Sequence, residues 1–365
     1  MMKVLNPKTK AYHKETLDGF WLRLFERLDT LCKLQLIICP YSGFHIEESL
    51  LSPYYGPLKR MYELLSHGLS FYDYETIEKF QICEHAENWL SGQENKKLKL
   101  NTHSVIPGNI DAWQDKFIFS INFPDKEDWV EELRRIREKT HKGQTRVFQR
   151  WQTDKDKTFE DWYEEESMAF GRITLQVYSS HLAKLAGASS GQTKLTINDF
   201  LPPPSVILIR SIYQVFRRTG IQDSDVIPKT VEYLTSPSLK NVPFNKISSM
   251  LYAALARKAA AGRRKPPNPG LTTDIRIISV LLPYCDAMFV DNECHAYLNE
   301  RPLSQTISDY KTKIFSQNTK QKFLEYLDKI ESEASAKHLG KAKEVYGETC
   351  PEPYTTLYKK QERQH

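Results

Sequence analysis

The sequence predicts an α/β protein with a small parallel sheet and a large, mainly helical insertion. Three observations support this. Short Ile-, Leu- and Val-rich runs bounded by turn residues occur near both ends of the chain, at 34–39 and 287–290. Each is too short for an independent helix and almost wholly apolar, with Gln35 the one polar residue, as expected of a buried strand. Between 92 and 262 the pattern changes to long, charged stretches with helical spacing. Neither end has enough strands for a stable sheet alone, so the two ends are expected to meet around one core. That gives a core of 1–91 and 263–340, a helical lobe over 92–262, and a polar tail over 341–365.

In chain order, 15–33 carries Leu17, Phe20, Trp21, Leu24, Leu28 and Leu31 at helical spacing and reads as an amphipathic helix. The run 34–39, closed by Pro40, reads as a buried strand. A turn and a helix start follow, which places Glu47 and Glu48 just beyond the strand end. Segment 57–67 predicts a helix closed by Gly68, 69–72 a short strand, and 74–90 another helix. In the middle, 125–151 and 158–186 are amphipathic, interrupted at Gly143 and at the Thr-Asp-Lys-Asp-Lys stretch from Thr153. Leu201-Pro-Pro-Pro is a hard stop, with helices expected over 206–218 and 244–261. Asp274 opens an apolar helix, 287–290 is a strand ending in Asp291, and 293–298 is a helical turn. A short edge strand at 313–315 and a helix over 318–337 complete the pattern.

The totals bound the function. Of 365 residues, 40% are hydrophobic and 27% charged, ordinary for a globular chain. The formal charge of +5 permits an anionic partner without demanding one. No apolar run approaches the roughly 20 residues of a membrane span, and the start has no apolar leader segment. The six cysteines show no CxxC pair and no zinc spacing, which suits a reducing, cytoplasmic compartment. Walker, G-x-G-x-x-G, G-x-S-x-G and HExxH motifs are absent, which argues against the common nucleotide-binding, hydrolase and metalloprotease classes.

The acids carry the chemistry. Glu47, Glu48, Asp274, Asp286 and Asp291 all fall at expected loop positions or helix starts next to strand ends. Each alone reads as a dipole-favoured helix acid or a turn residue. Brought together they would repel, so a cluster would need a compensating cation. Mg2+ or Mn2+ suits an all-oxygen site of this kind and supports in-line attack of water on a phosphodiester.

Two motifs sharpen this. Pro40, Ser42, His45, Glu48 and Ser49 form an early P-x-S-x-x-H-x-x-E-S pattern. Asp274 is followed by Leu-Pro-Tyr-Cys-Asp ending at Asp286 and then by Asp291. The combination resembles the PIN-like nuclease superfamily, and more narrowly its bacterial branch with a Pro-Tyr-Cys-Asp late motif. The resemblance covers the two ends of the chain and nothing in the helical middle. It implies a PIN-like three-layer α/β/α core, a cluster of three or four acids binding Mg2+ or Mn2+, and RNA cleavage. Glu48 resembles the second acid, with Glu47 as fallback, Asp274 the third and Asp291 the fourth. Asp286 is the acid of the tetrapeptide and implies an orienting role. The family's first acid has no match: Lys3-Val4-Leu5-Asn6 lacks an Asp, and Asp18 lies in an expected helix. Three explanations stay open: a first strand upstream of this start, a degenerate stub ending in Asn6, or a reduced set of acids.

Basic residues would complete such a site. Arg257, Lys258, Arg263, Arg264 and Lys265 lie just upstream of Asp274 and are expected to contact phosphates. A second run, from Arg134 to Arg150 with Phe148 and Trp151, reads either as a stacking surface for nucleic acid or as a solvated face paired with the acids of 160–166. The reading that results is a metal-dependent endoribonuclease with Glu48, Asp274 and Asp291 as catalytic acids. The alternatives are a catalytically impaired module that binds RNA or a protein partner through the helical lobe, and a DNA-directed nuclease. No membrane association is expected.

Overall fold

The structure, a computed structural model, describes residues 19–113, 127–195 and 201–347. Helices α1 (Phe20–Lys33), α2 (Gly43–Leu50), α3 (Tyr55–Ser66) and α4 (Tyr74–Leu90) come first. The middle holds α5 (Glu127–Thr153), α6 (Phe159–Ser189), α7 (Pro204–Arg218), α8 (Asp223–Leu234) and α9 (Pro243–Ala260). Then follow α10 (Leu271–Leu281), β1 (Ala287–Phe289), α11 (Asn292–Asn299), α12 (Leu303–Ser308), β2 (Lys313–Phe315), α13 (Lys320–Ser332) and α14 (Ala336–Tyr346). The described chain is thus mainly helical with a two-stranded parallel sheet, β1 beside β2, which is compatible with an α/β fold.

The chain forms two compact units. One takes the residues up to Tyr72, Thr102–Ile136 and those from Phe315 onward; the other takes Asp73–Asn101 and Arg137–Ile314. These boundaries differ from the core-and-lobe division expected from the sequence, because the segment with Asp274 and Asp291 packs with the helices of the middle.

In the first unit, α1 buries Phe20, Leu24, Leu28 and Leu31 of the expected stripe together with Phe25, while Trp21 is only half-buried and Leu17 lies outside the described residues. Residues 34–39 are not the expected strand. Gln35 adopts a left-handed φ of 52° directly after the helix, and the segment runs on as irregular chain. A Leu-Ile run becomes a strand only where a neighbouring backbone pairs with it, and here pairing is limited to one parallel bridge between Tyr41 and Ser70. Tyr41 donates to the Leu69 carbonyl at 3.2 Å and accepts from Phe71 at 2.8 Å. The strand expected at 69–72 is reduced to that same bridge. α2 starts at Ser42, whose backbone N–H donates to His45 Nδ1 at 3.1 Å, so His45 serves the helix start.

In the second unit, α9 is central. Its alanines Ala253, Ala254, Ala256 and Ala259 are buried and let neighbouring helices approach closely. Around it pack Phe148 and Trp151 of α5, Phe159 and Trp162 of α6, and Leu271, Ile275 and Ile278 of α10. Buried Asn245 donates to the carbonyls of both Ser167 and Leu239 at 3.0 Å, tying α9 to α6. Gly171 of α6 lies close against the end of α8, where a Cβ would stand 1.8 Å from the Leu234 carbonyl oxygen. α5 runs unbroken through Gly143, contrary to the expected interruption, since one glycine costs a long helix only about 1 kcal/mol. The expected helix over 318–337 is instead two, because the Ser335 side chain caps a new start by accepting from His338 N–H. Most of the expected polar tail, 348–365, lies outside the described residues, as do 1–18 and the Asn6 and Asp18 positions.

Candidate functional site

The Leu-Pro-Tyr-Cys-Asp stretch builds the approach to β1. Leu282, Pro283 and Tyr284 form a buried turn after α10. Gln81 donates to the Tyr284 hydroxyl at 3.3 Å, and burial pushes that phenol up to about 12. Thr312 donates to the Leu282 carbonyl at 2.9 Å, and Lys313 N–H to the Asp286 carbonyl at 2.9 Å. The motif therefore fixes the turn and the start of the sheet, and the Asp286 carboxyl is exposed.

At the far end of β1 the chain turns into α11 at Asp291. The Asp291 carboxylate accepts the Cys294 N–H at 2.6 Å, a helix N-cap that aims its oxygens along the first turn. Asp274, in the first turn of α10, comes to the same place. One ligand atom from each of Asp274, Asp291 and Cys294 lies within 4.8 Å of the others. Among the described residues this is the group with metal-holding geometry. It brings together Asp274 and Asp291, two of the acids singled out in the sequence, and adds Cys294, which was not among them. The available signal was the spacing Asp-x-x-Cys at a helix start, which puts cap and cysteine in one turn. Cys294 is fully buried, and burial first, then the Asp291 and Asp274 carboxylates, raise its thiol far above its ordinary range. Both causes favour the neutral S–H form of the thiol beside the two carboxylates.

Asp286 is not in this group. Glu47 and Glu48 belong to α2 in the first unit, half-buried and exposed respectively. Of these donors, the two carboxylates are of the hard oxygen kind that magnesium or manganese takes together with several waters. A neutral thiol is a poor ligand for them and would become one only for a softer ion that displaced its proton.

Comparison with family models, curated proteins and solved structures finds no significant match.

The expected basic residues divide. Arg257 and Lys258, on the last turn of α9, both contact Glu300 at 3.0 and 2.7 Å. Arg263 pairs with Glu293 and donates to the Tyr297 hydroxyl at 2.8 Å. Its loop is fixed by Gln152, which donates to the Arg263 carbonyl at 2.7 Å. Arg264 and Lys265 are exposed, and among the described residues no ion pair engages them. On the second basic run, Arg150 pairs with Glu165 at 2.8 Å, Arg135 and Lys142 pair within their own helix with Glu132 and Glu138, and Phe148 and Trp151 are core residues not available for base stacking. No helix among the described residues is long and apolar enough to cross a membrane.

Proposed function

We propose that this protein is a metal-dependent nuclease that hydrolyses phosphodiester bonds, with RNA as the favoured substrate, through a Mg2+ or Mn2+ site at Asp274 and Asp291. The reading rests on one observation: two carboxylates from separate helix starts share a space of 4.8 Å with a buried thiol. The resemblance of the late motif to PIN-like nucleases supports it. A cation held there would neutralise charge on a phosphodiester and lower the pKa of an attacking water. Asp291 is held in place by its bond to the Cys294 N–H, and the Cys294 thiol stays protonated beside it. Asp274 faces the same space from the first turn of α10. The exposed Arg264 and Lys265 supply contacts to the sugar-phosphate backbone. Glu48, from the first unit, is not required by this scheme.

A second reading has an observation of its own. The group contains two carboxylates where the resemblance implies three or four, which favours a catalytically impaired module that binds RNA or a protein partner. The decisive experiment is cleavage of single-stranded RNA and of the matching DNA by the full chain with manganese, beside D274N. Cleavage by the wild type that is lost in the variant supports the enzyme. Cleavage unchanged in D274N removes the assigned site, and RNA binding without cleavage supports the second reading.

A further inference from the structure

The cations best placed to meet a phosphate backbone are already occupied, and the occupants come from one element. Helix α11 and its C-terminal cap supply Glu293 and Glu300. Glu300 spans Arg257 and Lys258, and Glu293 takes Arg263. Tyr297, between them, donates to Glu293 at 3.1 Å, accepts from Arg263, and carries the Lys258 ammonium 4.0 Å over its ring. Three cations thus meet two carboxylates and an aromatic face. None is deeply buried: side-chain exposure is 42% for Arg257, 35% for Lys258 and 24% for Arg263. Partly exposed ion pairs of this type are weak, so a polyanion that releases its condensed counterions on binding can displace the carboxylates at little cost.

We propose that Glu293 and Glu300 are resident counter-anions that compete with a phosphodiester backbone for Arg257, Lys258 and Arg263, and so set the affinity of this face for nucleic acid. This rests on the nucleic-acid-binding half of the function proposed above and not on cleavage. The ligand chemistry is a single-stranded polyphosphate, supplied by either RNA or DNA. Arg264 and Lys265 capture the strand first; the paired cations exchange their carboxylates for phosphates as it settles. Because α11 also begins at Asp291, the exchange takes place on the helix that carries one acid of the candidate metal group.

The test is fluorescence anisotropy of a labelled single-stranded RNA, and of DNA of the same sequence, titrated with the full chain in EDTA over a range of KCl. Removing divalent ions separates binding from cleavage. The variants are E300Q and E293Q, with D223N as a charge-matched control, since Asp223 at the start of α8 pairs with Arg217 on α7 at 2.8 Å. E300Q is expected to bind roughly 5- to 10-fold more tightly, with a steeper salt dependence by about 0.7 in log–log slope for each cation released. E293Q should act in the same direction and D223N should not match either. Equal gains for RNA and DNA assign the face to the backbone; a gain for RNA alone assigns it to ribose-containing strands. Unchanged or weaker binding by both glutamate variants, or an equal gain in D223N, overturns the proposal, as does failure of every form to bind either strand. Should E300Q misfold by circular dichroism, E293Q alone decides. Loss of cleavage in D274N with these binding gains intact would leave this inference standing beside the nuclease reading. Binding gains with no cleavage in the wild type would separate the two.

Discussion

Replacing Asp274 by asparagine tests the candidate centre without reference to any substrate. The Asp274 and Asp291 carboxylate oxygens lie within 4.8 Å. Two unit charges at that distance repel by about 1 kcal/mol in water and about 3 at an effective dielectric near 20. Asp291 is exposed, so the lower end applies. Asp274 also sits in the first turn of α10, where the helix dipole favours an acid by about 0.5 kcal/mol. The net expectation in EDTA is that D274N equals or exceeds the wild type by up to about 0.5 kcal/mol. Manganese reverses the order. At about 100 times its dissociation constant a cation stabilises the wild type by about 2.7 kcal/mol, a gain the variant forfeits. The assay is thermal unfolding of both proteins, with EDTA and across a manganese titration. An equal manganese shift in D274N would refute the site. A variant much less stable than the wild type in EDTA would refute the electrostatic reasoning and make Asp274 a purely structural helix acid.

Further expectations follow from named contacts. D291A loses the cap to Cys294 and should unfold about 1 kcal/mol earlier in urea, whereas D291N keeps a capping oxygen and should change stability little while losing manganese stabilisation; equal destabilisation by both would show that charge, not capping, holds α11. G171A should destabilise by about 1–3 kcal/mol, because its Cβ meets the Leu234 carbonyl at 1.8 Å and a backbone atom cannot swing away. G340A, in α14 with nothing within 4 Å, should instead stabilise by up to about 1 kcal/mol, and the same sign for both would contradict the packing. Buried His85 lies 3.0 Å from the Tyr233 hydroxyl, and its Nε2 donates to the Glu94 carbonyl at 3.2 Å; burial lowers its pKa below 6.5. The unfolded chain therefore takes a proton that the native ring refuses, so its contribution is complete above pH 6.5 and is lost as pH falls toward the folded pKa. Urea midpoints from pH 7.5 to 5 should fall more steeply for the wild type than for H85Q, and parallel curves would remove His85 as the cause.

Local chemistry made much of this molecule legible in its sequence. The spans 74–90 and 313–315 carry helical or strand spacing between unambiguous stops, and both elements form with those bounds. Asp291 was legible as an acid where a short strand ends and a helical turn begins, and its role as the cap of that helix came from the structure. The segment 34–39 was not decidable in this way, since its Leu-Ile run satisfies a strand pattern while the partner that would make it one is a matter of distant chain. Helix α8 carries Val226, Thr230, Tyr233 and Leu234 on one buried face, but Pro228 inside it reads as a break in the sequence.

What the sequence by itself determined is which residues could cap a helix, fill a stripe or hold a cation. Tertiary structure alone decided the assignments: that Asp274 and Asp291 share one space with Cys294, that Glu293 and Glu300 hold the basic residues before α10, and that Phe148 and Trp151 serve the core. The physical reason is range. Helix spacing and capping act over three or four residues, while charge pairing and burial are settled by segments tens of residues apart that only folding brings within a few ångströms.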